Sequence, residues 1–377
     1  MKIAILCPSF GEYAGIGRIA AALGTGFQAL GHELAVVCRP GAVVQGSLAA
    51  VPRLEIPMHQ LPRRWRHLRR QARLGATLLR TLPQLRRFLV EEVHADVLLV
   101  LAISTFAPLA LAASRWLPVV VSLQGGEPDG RFAAHPRLFR WLLSRAAAVT
   151  ACAASLASDA ERLCTGIDGR LVVIPNGVDV ETFGGGTAGA QAEPYVLAAG
   201  RFTRQKGFDV LVEAVATLAA VRSGRVHVLL AGDGAEEATL RRRVEHLGLA
   251  EGVRFLGPVD QEDLRALYRG ARVVAVPSRW EGLPLVCLEA MASGRAVVAT
   301  RVDGIPDAVV DGETGLLVPP DDPVALARAL EALLDDRAQA DRLGTAGARR
   351  VREQFAWPIV SRRYAAVLER AVLIGRS

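Results

Sequence analysis

Four charged residues in the second half of the chain have the types and spacing for chemistry on a phosphorylated, hydroxyl-bearing ligand. Arg201 and Lys206 stand just past the apolar run Tyr195–Gly200 and just ahead of a helical pattern that opens at Phe208. Two cations at a strand's carboxyl end, beside a helix N-terminus, add to the positive end of the helix dipole and suit a pyrophosphate. Glu281 and Glu289, spaced E-x7-E, follow the run Val273–Val276 in Ser278-Arg279-Trp280-Glu281-Gly282-Leu283-Pro284-Leu285, where a helix starts near Leu285. Carboxylates repel a pyrophosphate, so their partners are hydroxyls, as on a ribose diol or a sugar ring. Gly282 lets the main chain lie close to a ligand and present N–H donors to it. Leu285, Leu288 and Met291 make the surroundings of Glu289 apolar. That carboxylate is expected to point inward and to need a polar partner.

A second glycine-rich segment, Gly15-Ile16-Gly17-Arg18-Ile19-Ala20, fits G-x-G-x-x-A. In a nicotinamide enzyme the first glycine follows strand one directly and the second strand ends in an acid. Here Pro8 to Ala14 intervene and the second strand-like run ends in Cys38-Arg39. Two readings stay open for this loop: main-chain N–H groups cradling an anion, or a turn needed for packing.

The elements that must position these residues alternate. Strand-like runs are Lys2–Cys7, Glu33–Cys38, Val97–Ala102, Pro118–Leu123, Ala147–Ala151 and Leu171–Pro175. After a gap come Tyr195–Gly200, Val226–Ala231, Val253–Leu256, Val273–Val276, Ala296–Thr300 and Leu316–Val318. Helical patterns such as Phe208–Val221, Glu237–Leu247 and Pro323–Leu334 lie between them. Strand–helix alternation means parallel sheets covered by helices, which bind ligands at the carboxyl ends of their strands. The small, Gly-rich stretch Gly184–Ala192 reads as a linker. Two doubly wound, Rossmann-like α/β domains are expected, residues 1–185 and 191–356, facing a central cleft. The segment 357–377 reads as one more amphipathic helix, and its periodicity is compatible with packing on its own domain or crossing back to the first. Val97 to Ser114 carries no charge and is long enough to suggest a membrane span. Ser104, Thr105 and Pro108 interrupt it as a strand end and helix start do, so strand, helix, strand is the expected reading.

The pair Glu281 and Glu289, with Arg201 and Lys206 upstream, resembles the retaining glycosyltransferases of family 4, which have the GT-B fold. Ile174-Pro175-Asn176-Gly177-Val178-Asp179, Ala231-Gly232-Asp233-Gly234, Phe255-Leu256-Gly257 and Gly304-Ile305-Pro306 continue the resemblance. It implies that Arg201 and Lys206 clamp the donor diphosphate and stabilise the leaving group without a metal or other cofactor. Glu289 is implied to hold the nucleotide ribose. Glu281, with the main-chain N–H groups of the segment Gly282-Leu283-Pro284-Leu285, in which Pro284 itself has none to give, is implied to hold the donor sugar. The Gly15–Gly17 loop is implied to face the diphosphate, and a UDP-sugar is expected in preference to a GDP-sugar. Many relatives carry a histidine after the strand matching Val119–Leu123, whereas this chain has Gln124, which hydrogen-bonds a hydroxyl but is no acid or base at neutral pH. Gln124 and Glu127 are the acceptor-side candidates. A catalytically idle nucleotide-sugar-binding protein is the rival reading, and a nicotinamide oxidoreductase the third.

The chain has 377 residues, 51% of them hydrophobic and 22% charged, with a formal net charge of +7. That composition excludes disorder as the main theme. Five scattered cysteines without a C-x-x-C pair suggest buried thiols in a reducing compartment, and the N-terminal apolar run is too short for a signal peptide. A cytoplasmic protein is expected. The positive charge has an address: nine arginines and no acid lie between Leu61 and Val90, which leaves −2 for the rest of the chain. With Trp65, Leu68, Leu74, Leu78, Leu79, Leu82 and Leu85 interleaved, the segment reads as a helix suited to an anionic membrane's inner face, or as a solvated helix packing its leucines inward. Nucleic acid is disfavoured, since Trp65 is the one stacking platform and no recognised module is present.

Overall fold

The computed structural model describes residues 1–10, 15–44, 46–57, 68–101, 103–125, 135–185 and 194–376. The chain forms two compact units, Met1–Asn176 with Trp357–Ser377, and Gly177–Ala356. Every apolar run expected to be a strand is one. They are β1 (Lys2–Leu6), β2 (Glu33–Cys38), β4 (Val97–Val100), β5 (Val119–Leu123), β6 (Ala148–Ala151) and β7 (Leu171–Val173) in the first unit. The second holds β8 (Tyr195–Ala199), β9 (His227–Ala231), β10 (Val253–Gly257), β11 (Val273–Val276), β12 (Ala296–Thr300) and β13 (Leu316–Val318). A short further strand, β3 (Arg53–Glu55), completes the set.

All pairings of these strands are parallel. The sheets run β3-β2-β1-β4-β5-β6-β7 and β10-β9-β8-β11-β12-β13. In each, the chain winds outward one way and then returns to wind the other way, so the order reverses between β1 and β4, and between β8 and β11. Helices leave a parallel sheet in opposite directions at such a reversal, which opens a crevice at the strands' carboxyl ends. Inner strands are buried on both faces, as their uninterrupted Val, Leu and Ala require: all five residues of β5 and of β12 are buried.

The run Val97–Ser114 resolves into β4 and the helix Ile103–Ala113, and no helix among the described residues is long and apolar enough to cross a membrane. Within the basic segment, the helix Leu68–Arg86 passes into a π-helical turn, Arg87–Glu92. Leu85, Phe88 and Leu89 enter the core while Leu79 is 77% exposed. The last two arginines of the segment meet acids just beyond it, Arg86 with Glu91 (2.8 Å) and Arg87 with Glu92 (3.0 Å). Trp65, Arg63, Arg64 and Arg66 lie outside the described residues. The helical pattern Phe208–Val221 is two helices, Phe208–Val215 and Ala219–Arg222. Thr217 Oγ1 bonds back to the Ala214 carbonyl (2.8 Å), and Leu218 turns extended to bury its side chain.

The units divide at Asn176–Gly177, ahead of the Gly-rich stretch. The short helix Val180–Gly184, capped by Asp179 through Thr182 N–H (3.0 Å), belongs to the second unit, where Phe183 packs edge-on against Tyr268. The helix Trp357–Arg376 belongs to the first. It lies against the helix Gly15–Ala29 so closely that a Cβ at Gly26 would fall 2.0 Å from Ser361 Oγ. Its Tyr364 reaches the sheet: Tyr364 Oη and Ser122 Oγ are 2.9 Å apart, and Gln124 Nε2 donates to both, at 3.1 and 2.8 Å. Burial pushes the Tyr364 phenol up, so it stays neutral at ordinary pH. Tyr364→Phe, which keeps the ring and removes this junction, is expected to cost about 1–2 kcal/mol of stability. Urea unfolding checks it, and a variant as stable as the wild type would show that the junction does not hold the helix.

Candidate functional site

Lys206 follows β8 and Glu281 follows β11, the two strands on either side of the reversal in the second sheet. The chain between β8 and the helix Phe208–Val215 makes a single 3-10 turn, Arg204–Lys206, and then Gly207 in the left-handed region (φ 64°). Only glycine fits there without strain, because a Cβ would also fall 2.0 Å from the Pro277 carbonyl oxygen. That contact brings the loop after β8 onto the end of β11. Lys206 Nζ pairs with Glu281 Oε1, the Lys side chain half-buried and the Glu side chain 7% exposed.

Arg279 stitches the two loops together. Its Nη1 and Nη2 donate to Asp209 Oδ1 (2.9 Å) and Oδ2 (2.7 Å), its Nε to Asp321 Oδ1 (2.6 Å), and its Nη1 also to the Arg204 carbonyl (2.8 Å). The main chain adds Arg279 N–H to the Gln205 carbonyl at 2.7 Å, and Gln205 Nε2 donates to the Trp280 carbonyl at 3.0 Å. Burial works against an ionised Asp209, yet its two bonds from Arg279 outweigh it and hold that carboxyl below its ordinary range. The planar, two-pronged pairing fixes orientation as well as distance.

Around Glu281 the donors converge. Ser278 Oγ donates to Glu281 Oε1 at 2.8 Å, and the Glu281 N–H donates to Asp303 Oδ2 at 2.7 Å. Gly282, Leu283 and Pro284 are buried beside it, and the helix Leu285–Ala292 begins directly afterwards. Glu289 turns inward as its apolar neighbours require. It is 1% exposed, and its Oε2 accepts from Tyr268 Oη (3.0 Å) on the helix Gln261–Gly270. Burial, and then the Glu281 charge, push up the thiol of Cys287 in the same helix, so it sits there as a neutral group. Arg201 is exposed at the carboxyl end of β8.

The structure therefore brings Lys206, Glu281 and the Gly282–Leu285 turn together, with Arg201 at the end of the same strand as Lys206. Gly15, Gly17 and Gln124 lie in the first unit, the glycines opening the helix after β1 and Gln124 at the carboxyl end of β5. Glu127 lies outside the described residues. Ser278, Asp303 and Tyr268, which orient the two glutamates, and Asp209, which holds Arg279, were not singled out from the sequence. Ser278 and Arg279 stand just ahead of the E-x7-E pair, but Asp209, Tyr268 and Asp303 come to it from distant elements.

Two family models match the chain, one described as Glycosyltransferase Family 4 over residues 13–182 and one as Glycosyl transferases group 1 over residues 187–350. The D-inositol 3-phosphate glycosyltransferase of Corynebacterium diphtheriae is 39% identical over 221 residues, 54% of this chain and 51% of that protein. The chain spans about half the length of the curated relatives it matches. Among solved structures, the sucrose-phosphate synthase from Thermosynechococcus elongatus has a TM-score of 0.81 at 24% identity, with both chains covered in full. HepE of Anabaena, solved with UDP and glucose, has a TM-score of 0.79 at 19% identity, covering 98% of this chain and 99% of that one. The same protein has also been solved with UDP-glucose. These two likenesses carry the fold, and the two models together account for both units: the chain belongs to glycosyltransferase family 4 and has the GT-B fold.

Proposed function

We propose that the protein is a retaining glycosyltransferase that moves a hexosyl group from a nucleotide-diphosphate sugar, UDP-linked in preference to GDP-linked, onto a hydroxyl acceptor. The observation that carries the reading is the pairing of Lys206 with Glu281 at the reversal of the second sheet, where a cation for a diphosphate and an acceptor for sugar hydroxyls sit side by side. The UDP and UDP-glucose complexes of HepE support the choice of donor.

Lys206 and Arg201 hold the diphosphate and offset the charge that grows on it as the glycosidic bond breaks. Electrostatic stabilisation of that kind is the greatest acceleration such a site can supply. Glu281 and the main chain of Gly282 to Leu285 hold the sugar ring. Glu289 takes the ribose hydroxyls. The bond from the anomeric carbon to the phosphate oxygen breaks with its electrons leaving on the nucleotide. The acceptor hydroxyl bonds to that carbon from the same face, and its proton passes to a phosphate oxygen of the donor. No protein base is required at Gln124, which holds a hydroxyl instead. The acceptor is a lipid-linked or surface-glycan precursor, met at the cytoplasmic face of an anionic membrane through the basic segment 61–90.

A catalytically idle sugar-nucleotide binder is the second reading, favoured by the uncharged amide at Gln124. Retained turnover in the wild type, abolished in Glu281→Ala, disposes of it, and binding without turnover on any acceptor pool disposes of the enzyme. Lys206→Ala is expected to weaken UDP binding by about 10- to 100-fold, the worth of a charge-assisted contact. Calorimetry showing unchanged affinity removes Lys206 from the clamp. Product made from an α-linked donor should carry an α-linkage by NMR, and a β-linked product would overturn retention. Replacing Arg66, Arg69, Arg70 and Arg73 with serine should lower flotation with anionic vesicles, each arginine near such a surface being worth about 1 kcal/mol. Unchanged flotation would leave the segment as a solvated helix face.

A further inference from the structure

Glu281 has a neighbour to which the proposed reaction gives no task. Ser278, 1% exposed, donates from Oγ to Glu281 Oε1 at 2.8 Å, the same oxygen that Lys206 Nζ holds. Ser278 is itself anchored, since its carbonyl accepts from Thr300 Oγ1 at the end of β12. The Glu281 main chain is anchored too, through its N–H bond to Asp303, a residue held in the left-handed region at φ 43°. Two side-chain donors thus converge on one carboxylate oxygen.

The two donors differ in freedom. Lys206 ends a four-carbon stem, carries three protons and is partly solvated, so it can share its ammonium with an arriving anion. The Ser278 hydroxyl is a neutral donor on a short, buried side chain with one rotatable bond to its oxygen. When Lys206 turns part of its charge toward a diphosphate, a carboxylate held by it alone would lose its orientation just as the sugar arrives. The hydroxyl keeps it. The second oxygen, Oε2, is then the one presented to a ligand.

We propose that Ser278 is a positioning residue that holds Glu281 Oε1 while Lys206 is shared with the donor diphosphate, so that Oε2 reads the sugar hydroxyls. The inference rests on the nucleotide-sugar reading of this unit and divides the labour within it. Lys206 acts on every nucleoside diphosphate, whereas Ser278 acts only on those that carry a sugar.

The test is calorimetry with UDP and with UDP-glucose on the wild type, Ser278→Ala, Glu281→Ala and the double variant. The wild type should bind UDP-glucose more tightly than UDP. Ser278→Ala should bind UDP within about twofold of the wild type, which also reports that the unit is folded, and should lose about tenfold for UDP-glucose. Because the serine acts through the glutamate, the double variant should lose no more than Glu281→Ala alone. Ser278→Thr, which keeps the hydroxyl, should retain the preference for the sugar-bearing ligand. An equal loss for UDP and UDP-glucose marks Ser278 as a packing residue and overturns the proposal, as do an undiminished sugar preference in Ser278→Ala and additive losses in the double variant. A wild type that binds neither ligand overturns the nucleotide-sugar reading itself. One that binds UDP but gains nothing from the glucose overturns the sugar contact at Glu281, and this role with it.

Discussion

A carboxylate buried to within a few percent of complete exclusion from water is the constraint on which the second unit turns. Stripping Glu281 of solvent costs several kcal/mol unless the charge is paired and hydrogen-bonded. The chain meets that cost with two donors on the carboxylate, Lys206 after β8 and Ser278 after β11, while Asp303 beyond β12 anchors the Glu281 main-chain N–H and the Arg279 network holds the loops in register. Any ligand that draws Lys206 away must return the stabilisation in kind. A diphosphate does this for the lysine and hydroxyl groups do it for the carboxylate, so one molecule carrying both satisfies the site better than either alone.

That arrangement follows from topology before it follows from side chains. In a parallel sheet every strand delivers its carboxyl end to the same edge, and a reversal of winding leaves two neighbouring ends free of a crossing helix. Strands β8 and β11 flank the reversal in the second sheet, and the residues needed for the pair stand in the first few positions after each. The first sheet repeats the device at β1 and β4, where the Gly15–Gly17 segment opens a helix. Apolar, β-branched strands buried on both faces make such an edge rigid enough to hold a buried ion pair in place.

Legibility in the sequence tracks how local each feature is. The inner strands announce themselves as uninterrupted apolar runs, whereas β3, Arg-Leu-Glu at a sheet edge, has one apolar residue and is specified by its pairing to Val36, Val37 and Cys38. The division of the chain escaped composition because Gly-rich sequence marks a supple segment and says nothing about which contacts cross it. Phe183, with its capped single-turn helix, settles against Tyr268 and so moves the division ahead of that stretch. The E-x7-E spacing and the cations after β8 were readable as chemistry because residue type and local order carry them. Their supports were not, since Tyr268, Asp209 and Asp303 reach the site only once the chain has folded.

Gln124 shows the same dependence in the first unit, with a different consequence. Ser122, Tyr364 and Gln124 form a triangle in which both amide protons are taken by hydroxyl oxygens, and Gln124 Oε1 is buried without a hydrogen-bond partner among the described residues. A buried carbonyl oxygen left so is a group in want of a donor. An imidazole in its place would bring a donor and a titrating nitrogen, whereas the amide brings a fixed acceptor and no charge across the ordinary pH range. Whatever meets it must give a proton into the bond without losing it, as a hydroxyl does. The helix that sets this orientation comes from the far end of the chain. A departure that looks like a lost acid–base group in the sequence is, in the fold, an oriented acceptor built from a strand's end and a helix far along the chain.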